Sequence, residues 1–291
     1  MLLLAPLLAL VAAAWQSAAP SEPAAPAPGV EITYLANAGF FLRAGAQGVL
    51  IDACVREPVE AYAALPGPVH GQLTNARAPF DCAMLVLVSH AHPDHVQPRV
   101  LEKLLTNNAR ARLVTSPEVI AMLAGGALDF ASIQDRVEPV ETVRGTIATR
   151  ELDGVRVQFL PLEHSGKGHG HLVNLGHLIE LGGLRILHVG DAEPTPAQFT
   201  PYELGSKAID VAIVPYWYFG SAGGAKTLHD EIRARTLIVS HVPPKEWDAL
   251  DTLLKAQFPD VILFKNAMEK RTFLPAGAKP APAAGVAPSG G

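Results

Sequence analysis

Four potential metal ligands fall within six positions of this chain, in the run Ser89-His90-Ala91-His92-Pro93-Asp94-His95. Imidazole nitrogens and carboxylate oxygens are good ligands for divalent transition metals. In extended chain, residues i and i+2 share a face, so a loop leaving a strand can aim His90 and His92 at one point. Asp94 and His95 must then face elsewhere. This geometry predicts two adjacent metals rather than one four-coordinate ion. Clustering three imidazoles and a carboxylate without a cation is costly.

Two neighbouring metals need more ligands, and three residues stand in matching contexts. His164 ends VRVQFLPLEH, Asp191 ends LRILHVGD and His241 ends TLIVSH. Each is a ligand-type residue at the end of an apolar run, and sheet enzymes commonly place their sites at strand ends.

The elements that must position these residues are legible as hydrophobic patterns. Residues 31–35, 39–43 and 48–52 are short β-type runs punctuated by Gly and Asn, predicting a meander at a sheet edge. The stretch 55–82 is irregular and reads as a lid or a dimer contact. The continuous apolar run at 84–90 predicts a strand buried on both faces. Further strands are expected at 113–116, 155–164, 171–181, 184–191, 210–215, 236–241 and 261–264, with a Gly182-Gly183 hairpin turn. Helical spacing covers 97–107, Pro117 to about Leu123, 226–234 and 244–256. Strand clusters with interspersed helices point to a layered α/β domain.

With these residues in place, the sequence resembles the metallo-β-lactamase-fold hydrolase superfamily. Its hallmark is His-x-His-x-Asp-His followed by a later His, Asp and His, and all seven positions are filled here. The opening ITYLANAGFFLRAGAQGVLIDA and the later NLGHLIELGGLRILHVGDAEP are most similar to the branch containing ascorbate-phosphate lactonase-like proteins. The resemblance implies a single-domain, four-layer αβ/βα sandwich with the site at one edge. It implies that His90, His92 and His164 hold one metal, that Asp94, His95 and His241 hold a second, and that Asp191 bridges. Two cations sharing a water would supply hydroxide near neutral pH. The donor set suits zinc first, with iron, manganese or nickel as alternatives. In the oxygen-reducing di-iron branch the second histidine is typically a glutamate, whereas here it is His92. No Cys occupies a ligand position, unlike the classical antibiotic-hydrolysing subclass.

Around the ligands, Asp52 could accept a proton from a ligating imidazole, or it could simply cap a strand or lie at the surface. Ser89 and Ser240 precede ligand histidines and carry no assigned catalytic role. Tyr216, Trp217, Tyr218 and Phe219 precede a Gly-rich stretch and could wall a substrate pocket, or two of them could face the core. Tyr216 or Tyr218 could hydrogen-bond a developing oxyanion. His229 is a candidate proton donor to a leaving group. Lys167 could meet an anionic substrate group. His169 and His171, in the same Gly-rich loop, could line the pocket or face solvent, and His188 reads as a core residue. Cys54 and Cys82 would lie at opposite ends of parallel neighbouring strands, out of reach of a disulfide.

The chain has 291 residues, 23 Lys plus Arg against 28 Asp plus Glu, and a net charge of −5. No basic patch suits nucleic acid, so a small-molecule substrate is the expected partner. Residues 1–14 read as a signal peptide, an apolar run short of a bilayer span whose Ala12-Ala13-Ala14 fits a cleavage site, so no stable membrane span is expected after cleavage. Residues 15–29 read as a Pro/Ala-rich linker, 30–275 as the hydrolase domain and 276–291 as a disordered tail. Together these predict an exported protein, periplasmic or extracellular, that cleaves a small ester, lactone or phosphodiester. The alternatives are a nuclease-type phosphodiesterase, a β-lactamase and a non-catalytic metal-binding sensor.

Overall fold

The computed structural model describes residues 29–278. Their strands form two seven-stranded sheets. The first contains β1 (Val30–Ala36), β2 (Gly39–Ala44), β3 (Gln47–Ile51), β4 (Ala83–Val88), β5 (Arg112–Thr115), β6 (Val137–Pro139) and β14 (Lys270–Phe273), in the order β14-β1-β2-β3-β4-β5-β6. The second contains β7 (Ala148–Leu152), β8 (Val155–Glu163), β9 (Val173–Leu181), β10 (Leu184–His188), β11 (Val211–Pro215), β12 (Thr236–Ser240) and β13 (Ile262–Leu263), in the reverse of chain order.

The alternation along β4 shows how the layers are built. Leu85 and Leu87 face the partner sheet and join Phe40, Ile51, Phe159 and Ile186 in the central core. Val86 and Val88 point the other way, into a cluster with Leu101, Leu105 and Val119. That outer cluster is closed by α1 (Gly67–Thr74), α2 (Pro98–Asn107) and α3 (Pro117–Gly126). A strand covered on both faces needs apolar residues at every position, which is why its pattern does not alternate. On the second sheet, Leu187 and Ala212 pack outward with Phe199, Leu228 and Ile232. Those residues come from α4 (Pro196–Phe199) and from a wide-turn helix, Thr227–Ile232, that continues α5 (Ala222–Lys226). The final helix, α6 (Trp247–Gln257), packs Leu254 against Val239. Helix, sheet, sheet and helix layers make the expected four-layer αβ/βα sandwich.

Strands β3 to β6 run parallel, as do β10 to β13. β8 reaches the same direction as β10 through two antiparallel pairings with β9. The C-terminal ends of β3, β4, β8, β10 and β12 therefore open at one edge. There lie Asp52, the His90–His95 run, His164, Asp191 and His241.

Four features depart from the sequence reading. The short strands β6, β7 and β14 were not expected, because they lie at sheet edges and carry polar residues such as Lys270-Arg271-Thr272. The 55–82 segment contains α1, which contributes Val69, Leu73 and Thr74 to the interior. The helix expected at 226–234 is α5 followed by the wide turn. The helix expected at 244–256 begins only at Trp247, after a short turn at Pro244–Glu246. Cys54 follows β3 and Cys82 precedes its parallel neighbour β4, and both thiols are free. The signal segment 1–14, the linker up to residue 28 and the tail from residue 279 lie outside the described residues. No helix among the described residues is long and apolar enough to cross a membrane.

Candidate metal centre

Turns at the open edge set the site. Asn37, Asp52 and His241 all have left-handed backbone, with φ of 48°, 46° and 60°. Such conformations are uncommon outside Gly, and Asn, Asp and His adopt them most readily. Gly190, with φ of 58°, precedes Asp191. A Cβ there would meet Asn174 Oδ1 at 2.3 Å and Ser89 Cβ at 2.7 Å, so only Gly lets this turn close on β9 and on the loop after β4.

The seven ligand-type residues converge. His90 Nε2 lies 3.0 Å from His92 Nδ1 and 3.2 Å from His164 Nε2. His241 Nε2 lies 3.1 Å from Asp94 Oδ2, and His95 Nε2 lies 3.6 Å from the same oxygen. Asp191 stands between the groups. Its Oδ2 is 3.1 Å from His241, 3.8 Å from His164 and 4.0 Å from His90, and its Oδ1 is 3.3 Å from His95. Three overlapping triads have ligand atoms within 4.8 Å of one another: His90-His92-His164, His90-His95-Asp191 and Asp94-His95-His241.

The neighbours of these rings point their lone pairs inward. Ser89 Oγ and Ser89 N donate to the two oxygens of Asp52, at 2.7 and 2.8 Å. With its proton committed there, Ser89 Oγ accepts from His90 Nδ1 at 2.9 Å. Asp52 Oδ2 also accepts from His95 Nδ1 at 2.9 Å. His164 Nδ1 donates to the Ser165 carbonyl at 2.5 Å. In His90 and His164 Nδ1 carries the proton and Nε2 presents a free lone pair to the cluster; His95 takes the same form once a cation displaces the Nε2 proton that its carboxylate neighbours hold. His95 Nε2 and Asp191 Oδ1 are buried without a hydrogen-bond partner. Unpaired polar atoms at the centre of a buried imidazole–carboxylate cluster fit divalent cations, since a buried polar group left without a partner is otherwise destabilising.

Electrostatics divide the histidines. Burial pushes His90 well below the usual imidazole range, and His95 adds to the push. Burial, reinforced by His164, lowers His92 to about 4. Both are neutral near pH 7, the form that binds a cation. Burial also disfavours charge on His95 and His241, but the carboxylates outweigh it. Asp191 and Asp52 hold His95 well above the ordinary value, and Asp191 with Asp94 brings His241 up to about 9. Burial raises the Asp191 carboxyl, yet His241 and His95 more than offset it and hold it well below the usual range.

A pocket of about 350 Å³ opens on this cluster, lined by His92, Asp94, His164, Asp191 and His241. Its outer wall comes from Val59, Glu60 and Tyr62 of the 55–82 segment, and from Gly166, His169 and Trp217. Trp217 therefore stands where the aromatic run was expected to reach substrate, its ring 5.1 Å from that of His241. Tyr216 instead faces a neighbouring groove. Tyr218 is a correction, because it is fully buried beside Phe199 in the outer core and does not line the pocket. His229 is another. Its side chain is 90% exposed and bonded to Asp230, because Thr227, Leu228 and Ile232 take the buried face of that helix. Lys167 is exposed and outside the pocket, which takes Gly166 and His169 from the same loop. His171 is likewise exposed and bonds the Gly168 carbonyl. His188 is buried, donating to the Ala38 carbonyl at 3.0 Å.

Three contributors were missed. Asn37 Nδ2 donates to Asp94 Oδ2 at 3.1 Å and to the Asp94 carbonyl at 3.2 Å, while its own carbonyl accepts from His241 N at 3.2 Å. Asn174 Oδ1 accepts from Asp191 N at 3.0 Å, and its Nδ2 donates to the Val189 carbonyl. Tyr62 sets its ring edge-on to His241, centroids 4.2 Å apart. An Asn inside the apolar strand β9 is a signal that could have been read. Tyr62, in an irregular segment, offers none.

A family model described as a beta-lactamase superfamily domain matches residues 48–257. Among curated relatives, a UPF0173 metal-dependent hydrolase of Pyrococcus abyssi is 26% identical over 221 residues, covering 73% of this chain and 84% of its own. Two solved structures share the fold at lower identity. A possible metal-dependent hydrolase from Veillonella parvula aligns with a TM-score of 0.58 at 14% identity, over 86% of this chain and all of its own. An isothiocyanate hydrolase from Delia radicum gut bacteria aligns with a TM-score of 0.58 at 15% identity, over 84% of this chain and all of its own.

Proposed function

The chain belongs to the beta-lactamase superfamily as a metal-dependent hydrolase, and on that premise we propose that it works with two divalent ions on a small ester, lactone or phosphodiester. The observation that carries this reading is Asp191, which lies within 4.0 Å of histidines from both outer triads. His90, His92 and His164 would hold one ion, and Asp94, His95 and His241 the other, with Asp191 shared. When bound, two such ions lower the pKa of a shared water and polarise a carbonyl or phosphoryl oxygen. The all-nitrogen and oxygen donor set favours zinc, with iron, manganese and nickel as alternatives.

The protein's own groups do the rest. Asp52, Ser89 and the Ser165 carbonyl keep the imidazoles in the ligating tautomer. Burial pushes the Tyr62 phenol up to about 12, so it stays protonated and able to donate a hydrogen bond to a developing oxyanion. His169, with a buried and unpartnered Nδ1 at the pocket wall, replaces His229 as the group in reach for carrying a proton to the leaving group. Export to the periplasm or beyond is supported by the apolar run near the start of the chain.

The experiment is metal content by mass spectrometry on purified protein and on Asp191→Ala, followed by an ester, lactone and phosphodiester panel. About two ions per chain, lost or halved in the variant, are expected. One ion or none after reloading would sink the binuclear reading.

A further inference from the structure

Beside the metal pocket lies a second cavity of different chemistry, a groove of about 490 Å³. Its walls are Tyr216, Trp217 and Phe219 from the turn after β11 and Leu250, Leu253 and Leu254 from α6. None of its nine lining residues is charged. Leu253 is 60% exposed, an apolar side chain that α6 does not use for its own packing. Trp217 lines both cavities. Its ring lies 5.1 Å from that of His241 on one side and 5.5 Å from that of Tyr216 on the other. One aromatic side chain thus separates a polar pocket of carboxylates and imidazoles from an apolar trough.

We propose that this groove receives the aliphatic arm of the substrate, so that the hydrolysed molecule is amphipathic, with a polar reacting head at the histidine–carboxylate cluster and an unbranched acyl or alkyl chain against Tyr216, Phe219 and Leu253. This rests on the hydrolase reading above and narrows its substrate class. The continuity through Trp217 selects a substrate arm over a separate partner, since a linear chain leaving the pocket crosses one residue to reach the trough. The absence of charge in the lining selects hydrocarbon over a sugar phosphate or a peptide. Burying each methylene in such a trough strengthens binding by a roughly constant factor.

The test uses the full metal-loaded chain, with p-nitrophenyl esters from acetate to decanoate and calorimetric binding of straight-chain carboxylates of the same lengths. Leu253→Glu is assayed in parallel, with metal content measured to show that the centre is intact. The expected result is kcat/KM rising, and Kd falling, by about two- to fourfold per methylene, both flattened by Leu253→Glu. Ester turnover that ignores chain length, with flat carboxylate affinity, would overturn the proposal and leave the hydrolase reading standing. Chain-length-dependent carboxylate affinity abolished by Leu253→Glu, with no ester turned over, would uphold the groove and remove the ester arm of the hydrolase reading, leaving lactones and phosphodiesters to the panel above. A dimer dissolved by Leu253→Glu, or adsorption to phosphatidylcholine vesicles lost in that variant, each with flat chain-length profiles, would give the face to a second copy or to a membrane and overturn the proposal.

Discussion

Asp52 Oδ2 accepts a hydrogen bond from His95 Nδ1 at 2.9 Å, joining the end of β3 to the loop after β4 across 43 residues of sequence. Ser89 donates to the same carboxylate through both its hydroxyl and its backbone nitrogen. Burial pushes the Asp52 carboxyl up, but the charge and hydrogen bond of His95 prevail and hold it below the usual range. A strand-end carboxylate that orients a ring of the proposed metal centre should tune cation affinity. Asp52→Asn keeps the size and tolerates the left-handed backbone while removing the charge. A loss of about tenfold in cation affinity is expected by titration against a chromogenic chelator. Unchanged affinity would reduce Asp52 to a structural cap.

Asn37 should act on one half of the centre only. Its amide grips Asp94, and its carbonyl accepts from the backbone of His241. Asn37→Gly retains the left-handed turn and deletes the amide. With two ions bound as proposed, the one held by Asp94 and His241 should bind about tenfold more weakly while the other is unaffected. Asn37→Ala should in addition lose about 1–2 kcal/mol of stability from a left-handed non-Gly backbone. Equal weakening of both ions would mean that Asn37 serves the loop as a whole.

His229→Ala should leave turnover within about twofold of the parent and stability within about 0.5 kcal/mol, as for exposed sites in general. Steady-state kinetics and thermal unfolding read both quantities. A tenfold fall in kcat would return this histidine to the mechanism.

His177 links stability to pH. It is buried beside Phe159 with neither ring nitrogen bonded, and burial lowers its pKa from 6.5 to about 3. The unfolded chain takes up a proton there near pH 6.5 and the folded chain only near pH 3, so between these values acid favours unfolding. The contribution is complete above pH 6.5 and is lost as pH falls, at up to about 1.4 kcal/mol per unit. His177→Leu should flatten the urea-unfolding profile over pH 6.5 to 4.5 relative to the parent. At pH 8 the variant should be as stable as the parent or more so, because two unpartnered nitrogens leave the core. A parallel pH dependence in both proteins would show that His177 finds a partner in solution.

Much of the architecture was legible because its signals are local. The apolar run at 84–90, the strand-end positions of His164, Asp191 and His241, and Pro117 at a helix start each depend on a few neighbouring residues. β6, β7 and β14 were missed because edge strands are held by one pairing and need little hydrophobicity. The aromatic run Tyr216–Phe219 carried no sign of which ring would face where. The turn after β11 sends Trp217 to the pocket, Tyr216 to the groove and Tyr218 to the core, and that division depends on neighbours from α6 and α4.

By itself the sequence determined the inventory of ligand-type residues, the layered class of fold and the apolar strands that end at each of them. Those follow from residue type and short-range periodicity. Only the tertiary structure decided which groups meet. Parallel strands from two sheets open at one edge and bring Asp191 to both triads, Asn37 to Asp94 and Tyr62 to His241. The same packing turns His229 and Lys167 to solvent. Contacts between residues tens of positions apart are set by how sheets and helices stack, and no local pattern encodes them.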